Sequence, residues 1–169
     1  MDVMLDLVLE DGLQTRFAVV VMNDEEKEVA TLLANDLLML GLSDGGAHTA
    51  QLCDADAPTY LLSTWWRERG AISLEDAIWR LTGQPADVFG LADRGRITPG
   101  YIADLVAFDP LTVSGGPTER RADLPGGVER LVVPSRGIEH VWVRGEQVRR
   151  NAQPVPGAFP GTVLRGGRG

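Results

Sequence analysis

The stretch of sequence that decides the fold covers residues 38–48 and reads Leu38-Met39-Leu40-Gly41-Leu42-Ser43-Asp44-Gly45-Gly46-Ala47-His48. It begins with an uncharged apolar run, which is typical of a strand buried on both faces, as in a parallel sheet. The run ends at a carboxylate, Asp44, and the pair Gly45-Gly46 then allows a sharp turn and the close approach of a ligand. Ligands bind in α/β folds where such strands leave the sheet, so the pattern predicts a functional carboxylate at this point. An Asp before Gly-Gly is also a common turn former or helix cap, and the local sequence leaves that alternative open.

Length and composition limit the class of protein. A chain of 169 residues can form one good core or two small units, but a closed (β/α)8 barrel needs about 250 residues. The 24 acidic and 16 basic residues give a net charge of −8, which argues against a nucleic-acid or anionic-membrane partner. The single cysteine cannot form an internal disulfide. Acidic residues interrupt the apolar residues 1–9, where a signal peptide would lie, and no uncharged run has the length of a membrane span. We therefore expect a cytoplasmic protein.

Hydrophobic periodicity divides the first part of the chain into four predicted elements: a helix over 2–9, a strand over 17–22, a helix that starts at Asn23 and runs to about Ala34, and a strand over 37–42. Gly12 would terminate the first helix, and Asn23 with Glu26 matches a capping box for the second. A strand, helix and strand of these lengths predict a βαβ unit with parallel strands. One such unit leaves its sheet edges open, so we expect other strands to complete the sheet.

The second part of the chain predicts helices followed by short strands. After a long loop over 45–58, the sequence predicts three helices: one over 59–68 ended by Gly70, one through Leu81 opened by a Ser73–Asp76 capping box, and a short one ending at Gly90. It then predicts a strand over 103–108, a short strand over 130–133 and a hairpin over 138–148. We expect Trp65 and Trp66 to divide between core and interface, and His140, on the polar side of its alternating strand, to face solvent.

Two motifs resemble the metal-dependent amidohydrolases. The string Gly41 to His48, followed by Cys53-Asp54-Ala55 and Pro58-Thr59-Tyr60, resembles the last barrel strand of that superfamily, and most closely the N-acyl-D-amino-acid deacylases, or D-aminoacylases. The second motif is Gly95-x-Ile97-x-Pro99-Gly100-x-x-Ala103-Asp104-Leu105-Val106-x-Phe108-Asp109, which resembles the passage where their chain leaves the barrel for a small β-sandwich. The resemblance runs from about Leu5 to Arg165 but covers only the C-terminal part of a much longer family sequence.

The resemblance implies an α/β fold that is the C-terminal fragment of a metal-dependent-hydrolase TIM barrel. Residues 1–92 would provide the last two parallel strands with the C-terminal helices, and residues 93–169 the C-terminal share of the small β-sandwich domain. It also implies a structural role for Asp104, as a buried or turn-bonding carboxylate.

The family's metal site implies roles for a few residues. Asp44 matches the aspartate that binds a divalent metal, usually zinc, and that takes a proton from the attacking water and passes it to the departing amine. Gly45, Gly46 and His48 would lie next to the substrate, although a turn-stabilising or solvent-exposed imidazole remains the alternative for His48. We expect Cys53 to be a small loop residue. The chain has only two histidines, His48 and His140, and no His-x-His, whereas a zinc site needs three or four protein ligands. We therefore expect no tight zinc binding by this chain alone.

The predicted function is that of the C-terminal part of a hydrolase of linear carbon–nitrogen bonds other than peptide bonds, acting on N-acyl amino acids or related amides. Activity would require the missing N-terminal metal-binding part, either covalently linked or as another subunit, and the open strand edges predict a homo-oligomer. Two alternatives remain. One is a non-catalytic interaction module that pairs through its strand edges, and the other is a cyclic amidase of the dihydroorotase or hydantoinase type.

Overall fold

The computed structural model describes residues 2–15, 17, 19–20, 22–41, 43, 45, 50, 53 and 55–164. Its helices are α1 (Asp2–Glu10), α2 (Glu26–Leu33), α3 (Ala57–Tyr60), which continues into a π-helix (Leu61–Glu68), α4 (Leu74–Leu81), α5 (Gly83–Val88) and a 3-10 turn (Pro125–Gly127). Its strands are β1 (Leu105–Phe108), β2 (Ser114–Gly115), β3 (Glu119–Arg121), β4 (Arg130–Val132), β5 (Ser135–Arg136), β6 (Ile138–Val143), β7 (Glu146–Arg150) and β8 (Gln153–Pro154). The fold is therefore mixed α/β, with helices before strands. Across these residues we find no helix with the length and apolar character needed to cross a membrane.

Local signals set the helix ends as predicted. Gly12 has φ 58° and follows α1, and the amide of Leu13 donates to the carbonyl of Val8 at 2.8 Å, which closes the helix with a left-handed cap. Gly70 and Gly90 adopt the same left-handed conformation after the π-helix and α5. Ser73 caps α4, since its Oγ accepts from the amide of Asp76 at 3.0 Å. These helix predictions are confirmed.

The two predicted parallel strands are not formed in the described part of the chain. The described residues of 17–22 and 37–42 have no strand assignment, and Val19, Val20 and Leu37 are 75%, 73% and 93% exposed. A strand exists only by hydrogen bonding to a neighbour, and the described residues provide none for these apolar segments. The capping box is also wrong: α2 begins after Glu25, while Asn23 lies outside it with φ 58°.

The buried core joins the helices to the strand region. It consists of Leu33 from α2, Leu61, Leu62 and Trp65 from the π-helix, Ala77 from α4, and Val113 from the loop after β1. Val113 is fully buried, and Arg67 reinforces its position by donating to the carbonyl of Val113 at 2.7 Å. Trp66 is half-buried against the same core, so the core position predicted for one of the two tryptophans is confirmed at Trp65, and the interface position stays a prediction.

The largest sheet has the strand order β1-β6-β7-β8, and every pairing in it is antiparallel. The predicted hairpin is confirmed as β6 and β7, whose turn residues Arg144 and Gly145 have φ 53° and 80°, the positive angles of a type I′ turn. Asp104 fixes this turn by accepting from the amide of Arg144 at 2.8 Å and from the Nη1 of Arg94 at 2.9 Å. Its predicted structural role is thus confirmed. Two short pairs complete the strand region, β2 with β5 and β3 with β4, and of these four strands only β4 was predicted.

Asp109 closes β1 and makes the fold sensitive to acid. The amide of Leu111 and the hydroxyl of Thr112 donate to its carboxylate at 2.9 and 2.8 Å, and these bonds hold the pKa of Asp109 below its usual range. A depressed folded-state pKa stabilises the fold above the unfolded pKa and loses that contribution as pH falls below about 4 and through the folded pKa. We expect Asp109→Asn to lower the melting temperature at pH 6, and the difference from wild type to shrink at pH 3. Melting curves at both values check this, and an equal difference at both would contradict it.

Candidate functional site

The structure describes only some of the predicted site residues. Asp44, Gly46 and His48 lie outside the described residues, so their predicted roles stay predictions. Gly45 is described and sits in a turn, where its amide donates to the Oγ of Ser43 at 3.4 Å. A Cβ on Gly45 would lie 3.2 Å from the Cα of Ala55. A glycine at this position therefore allows close contact with the far end of the same loop.

An open apolar cleft borders the segment that leads to Asp44. It has a volume of about 520 Å³, and Ser43, the residue before Asp44, is one of its walls. The opposite walls come from α2, through Val29 and Leu33, and from the helical region after the loop, through Pro58 and Trp65. A cleft with these walls can accept an apolar group next to position 43.

The loop after Asp44 is supported by the strand region. Arg120 of β3 donates to the carbonyl of Ala50 at 3.3 Å. Asp56, at the end of the loop, approaches β2 so closely that a Cβ on Gly115 would lie 2.7 Å from its Oδ2. The arginine of β4, Arg130, forms a bidentate pair with Asp123 at 2.6 and 2.8 Å and lowers the pKa of that carboxyl. The strand region therefore contacts the described part of this loop at Ala50 and Asp56.

The described donor residues do not fit a zinc ion by themselves. Among them no three His, Cys, Asp or Glu side chains cluster in a way that could hold a metal. His140 is half-buried in the β6–β7 hairpin, where its Nδ1 accepts from the amide of Asn151 at 3.3 Å and its ring lies 5.6 Å from that of Trp142. The prediction that His140 faces solvent is wrong, because the hairpin folds residues 147–151 over it. Cys53 is half-buried, with a free thiol.

Sequence reasoning missed two buried polar side chains beside the segment that leads to Asp44. Arg80 of α4 and Gln84 of α5 are only 4% and 6% exposed. The signal was weak: Arg80 falls on the same face of α4 as Ala77, three residues earlier, at a helical spacing that predicts burial.

Comparison with known proteins decides the family. Residues 2–149 match the Amidohydrolase family, a range that includes both motifs quoted above. The chain belongs to the amidohydrolase family. This amidohydrolase chain is 37% identical over 147 residues to a D-aminoacylase of Alcaligenes xylosoxydans xylosoxydans and 38% identical over 143 residues to an N-acyl-D-glutamate deacylase of the same organism. The predicted resemblance to N-acyl-D-amino-acid deacylases is confirmed.

The match covers much of this amidohydrolase chain and little of its relatives. Each alignment includes 83% of the chain but only 27% of the relative, so the chain spans about a quarter of the length of these curated proteins. Among solved structures, a D-aminoacylase is similar with a TM-score of 0.47 and 36% identity, over 59% of this chain and 19% of that one. An N-acyl-D-glutamate deacylase from Bordetella bronchiseptica, complexed with zinc and a phosphonate inhibitor, has a TM-score of 0.43 and 37% identity, over 57% and 19% of the two chains.

Proposed function

We propose that this chain supplies the C-terminal share of a metal-dependent hydrolase that cleaves the linear carbon–nitrogen bond of N-acyl amino acids. The observation that carries the proposal is the sequence identity of 37% and 38%, over 83% of the chain, to relatives named as a D-aminoacylase and an N-acyl-D-glutamate deacylase. In this proposal residues 1–92 contribute the last two barrel strands and their helices, and residues 93–169 contribute to the small β-sandwich domain.

The exposed apolar segments support the barrel assignment. Val19 and Val20 in the first segment, and Leu37 in the second, leave most of their surface in water. A segment that is apolar at successive positions suits a strand covered on both faces, which is the environment of a barrel strand and not of an exposed edge. Barrel strands from the rest of the enzyme would pair with these segments and cover them.

The chemistry assigned to this chain centres on Asp44. A carboxylate beside the scissile amide can take a proton from the attacking water and pass it to the nitrogen of the departing amine, which must be protonated to leave as a neutral amine when the carbon–nitrogen bond breaks. Gly45, Gly46 and His48 are proposed to lie next to the substrate, and the apolar cleft beside Ser43 suits an apolar acyl group or side chain. The zinc-binding groups of the proposed enzyme would come mainly from outside this chain, because the described donors do not cluster.

A chimera tests the proposal. Residues 2–149 of this chain would replace the aligned C-terminal share of the Alcaligenes D-aminoacylase. We expect the folded chimera to hydrolyse an N-acetyl-D-amino acid, and the chain alone to show neither activity nor tightly bound zinc by metal analysis. The host truncated before the junction is the control and is expected to be inactive. A folded chimera without activity on the linear amide, or stoichiometric zinc in the isolated chain, would contradict the proposal.

The same samples separate the other possibilities. Activity of the chimera on a hydantoin or dihydroorotate in place of the linear amide would favour a cyclic amidase. The exposed apolar segments also lead us to propose that the isolated chain self-associates, which light scattering after size-exclusion chromatography measures. A soluble oligomer of the chain, combined with an inactive chimera, would favour the non-catalytic module.

A further inference from the structure

Two buried polar side chains converge on one backbone carbonyl in the segment that leads to Asp44. The Nη1 of Arg80 and the Nε2 of Gln84 both donate to the carbonyl of Leu38 at 3.0 Å. Arg80 also donates through Nη2 to the Oδ1 of Asp36 at 3.2 Å, and Gln84 Nε2 lies 3.5 Å from the carbonyl of Asp36. We call this arrangement the Leu38 clamp.

The burial of Arg80 makes the clamp unusual. Its side chain is 3% exposed, whereas the carboxylate that it contacts, Asp36, is 87% exposed. A buried guanidinium loses its hydration, and a solvated carboxylate compensates only in part, so an apolar residue of the same volume would often give equal or greater stability at such a position. A contribution to stability therefore explains the buried Arg80 poorly. Its hydrogen bonds to Leu38 and Asp36 are what an apolar residue of the same volume could not form.

Apart from Leu40, which packs against the helical core, the segment has few contacts that hold its backbone. Residues 36–41 have no helix or strand, and residues 38–41 form one wall of a cleft of about 320 Å³, so packing covers them incompletely. The segment starts in a turn where the Oδ1 of Asn35 accepts from the amide of Leu37 at 3.0 Å. Beyond that turn, the clamp fixes its backbone at Leu38, and the chain then reaches Asp44 six residues later.

We propose that Arg80 and Gln84 are positioning residues that couple α4 and α5 to the segment carrying the catalytic carboxylate. The proposal rests on the proposed function, and it adds a role for two residues that touch neither substrate nor metal. Each donor makes one hydrogen bond to the carbonyl of Leu38, so loss of either donor removes part of what holds this carbonyl. We expect that loss to free the backbone of residues 37–41 while the core contacts of Ala77 stay in place.

The first experiment measures hydrogen exchange in the 169-residue chain, without any need for activity. Arg80→Met keeps the volume and removes the charge, and Gln84→Met removes the amide. We expect the amides of Leu37 and Leu38, which donate to the side chain and the carbonyl of Asn35, to exchange about tenfold faster or more in either variant, with the amides of α4 unchanged. Ile78→Ala, which weakens the same helix without touching the clamp, is the control. Unchanged exchange at Leu37 and Leu38, or the same pattern in Ile78→Ala, would overturn the proposal.

The second experiment uses the chimera and separates the two proposals. Arg80→Met is expected to lower kcat about tenfold with little change in KM, and Arg80→Lys, which can still donate to the carbonyl, to recover part of the loss. An active chimera whose kcat is indifferent to Arg80→Met would refute the clamp and leave the proposed function intact. An inactive chimera would refute the proposed function, and the exchange data would then decide the clamp alone.

Discussion

Replacing Asp44 by asparagine in the chimera is expected to lower kcat by about a thousandfold and to change KM little. The amide of asparagine has nearly the shape of the carboxyl group but cannot accept a proton at neutral pH, and a positioned acid or base contributes typically 10²- to 10⁴-fold to the rate. Steady-state hydrolysis of an N-acetyl-D-amino acid measures the effect, with circular dichroism to confirm that both proteins fold.

A matched control is available twenty residues earlier in the sequence. Asp24 is exposed and lies two residues before α2, so Asp24→Asn removes one negative charge without touching the proposed chemistry. It is expected to retain full activity. If Asp44→Asn kept more than about a tenth of the wild-type kcat, Asp44 would not be the proton acceptor.

The second large effect is expected for Gly137→Ala. Gly137 precedes β6 with φ 68°, and a Cβ on it would lie 2.6 Å from the amide nitrogen and 2.8 Å from the Cα of the buried Val113. These are backbone atoms that cannot rotate away, and the carbonyl of Gly137 also accepts from the amide of Asp109 at 2.8 Å. Left-handed strain and overpacking together predict a loss of about 3 kcal/mol in the free energy of unfolding.

Denaturant titration measures that loss, and Gly145→Ala separates its two causes. Gly145 has φ 80° in the β6–β7 turn, but a Cβ on it meets nothing within 4 Å. Only the strain applies there, so we expect a loss of about 1 kcal/mol. Equal losses in the two variants would show that the contact with Val113 contributes nothing.

The sequence was most informative where the signal was local. The ends of α1 and α4 follow from Gly12 and Ser73, whose backbone and side chain act on residues within one helical turn. The β6–β7 hairpin follows from its alternating pattern and from the glycine in its turn. The amidohydrolase motifs identified the family, although three of the four residues assigned to the site, Asp44, Gly46 and His48, lie outside the described residues.

Prediction failed where an element depends on a distant partner. The apolar segments 17–22 and 37–42 have strand-like sequences, but a strand requires a neighbouring backbone, and the described residues of the chain offer none to them. His140 was assigned to solvent from its place in the alternation, yet its ring is half-buried and hydrogen-bonded to the side chain of Gln147 and the amide of Asn151. The pairing of β3 with β4 joins residues that the sequence separates by a loop rich in glycine and charge.

The sequence by itself determined the amidohydrolase family, the position of its candidate carboxylate and the ends of most helices, because these depend on residues close together in the chain. Tertiary structure alone decided that Val113 completes a helical core and that Arg80 and Gln84 meet at the carbonyl of Leu38. The two bonds to Leu38 join residues more than forty positions apart in the sequence. Whether a side chain at such a distance is buried or solvated depends on how the helices and strands pack, and no local sequence pattern records that packing.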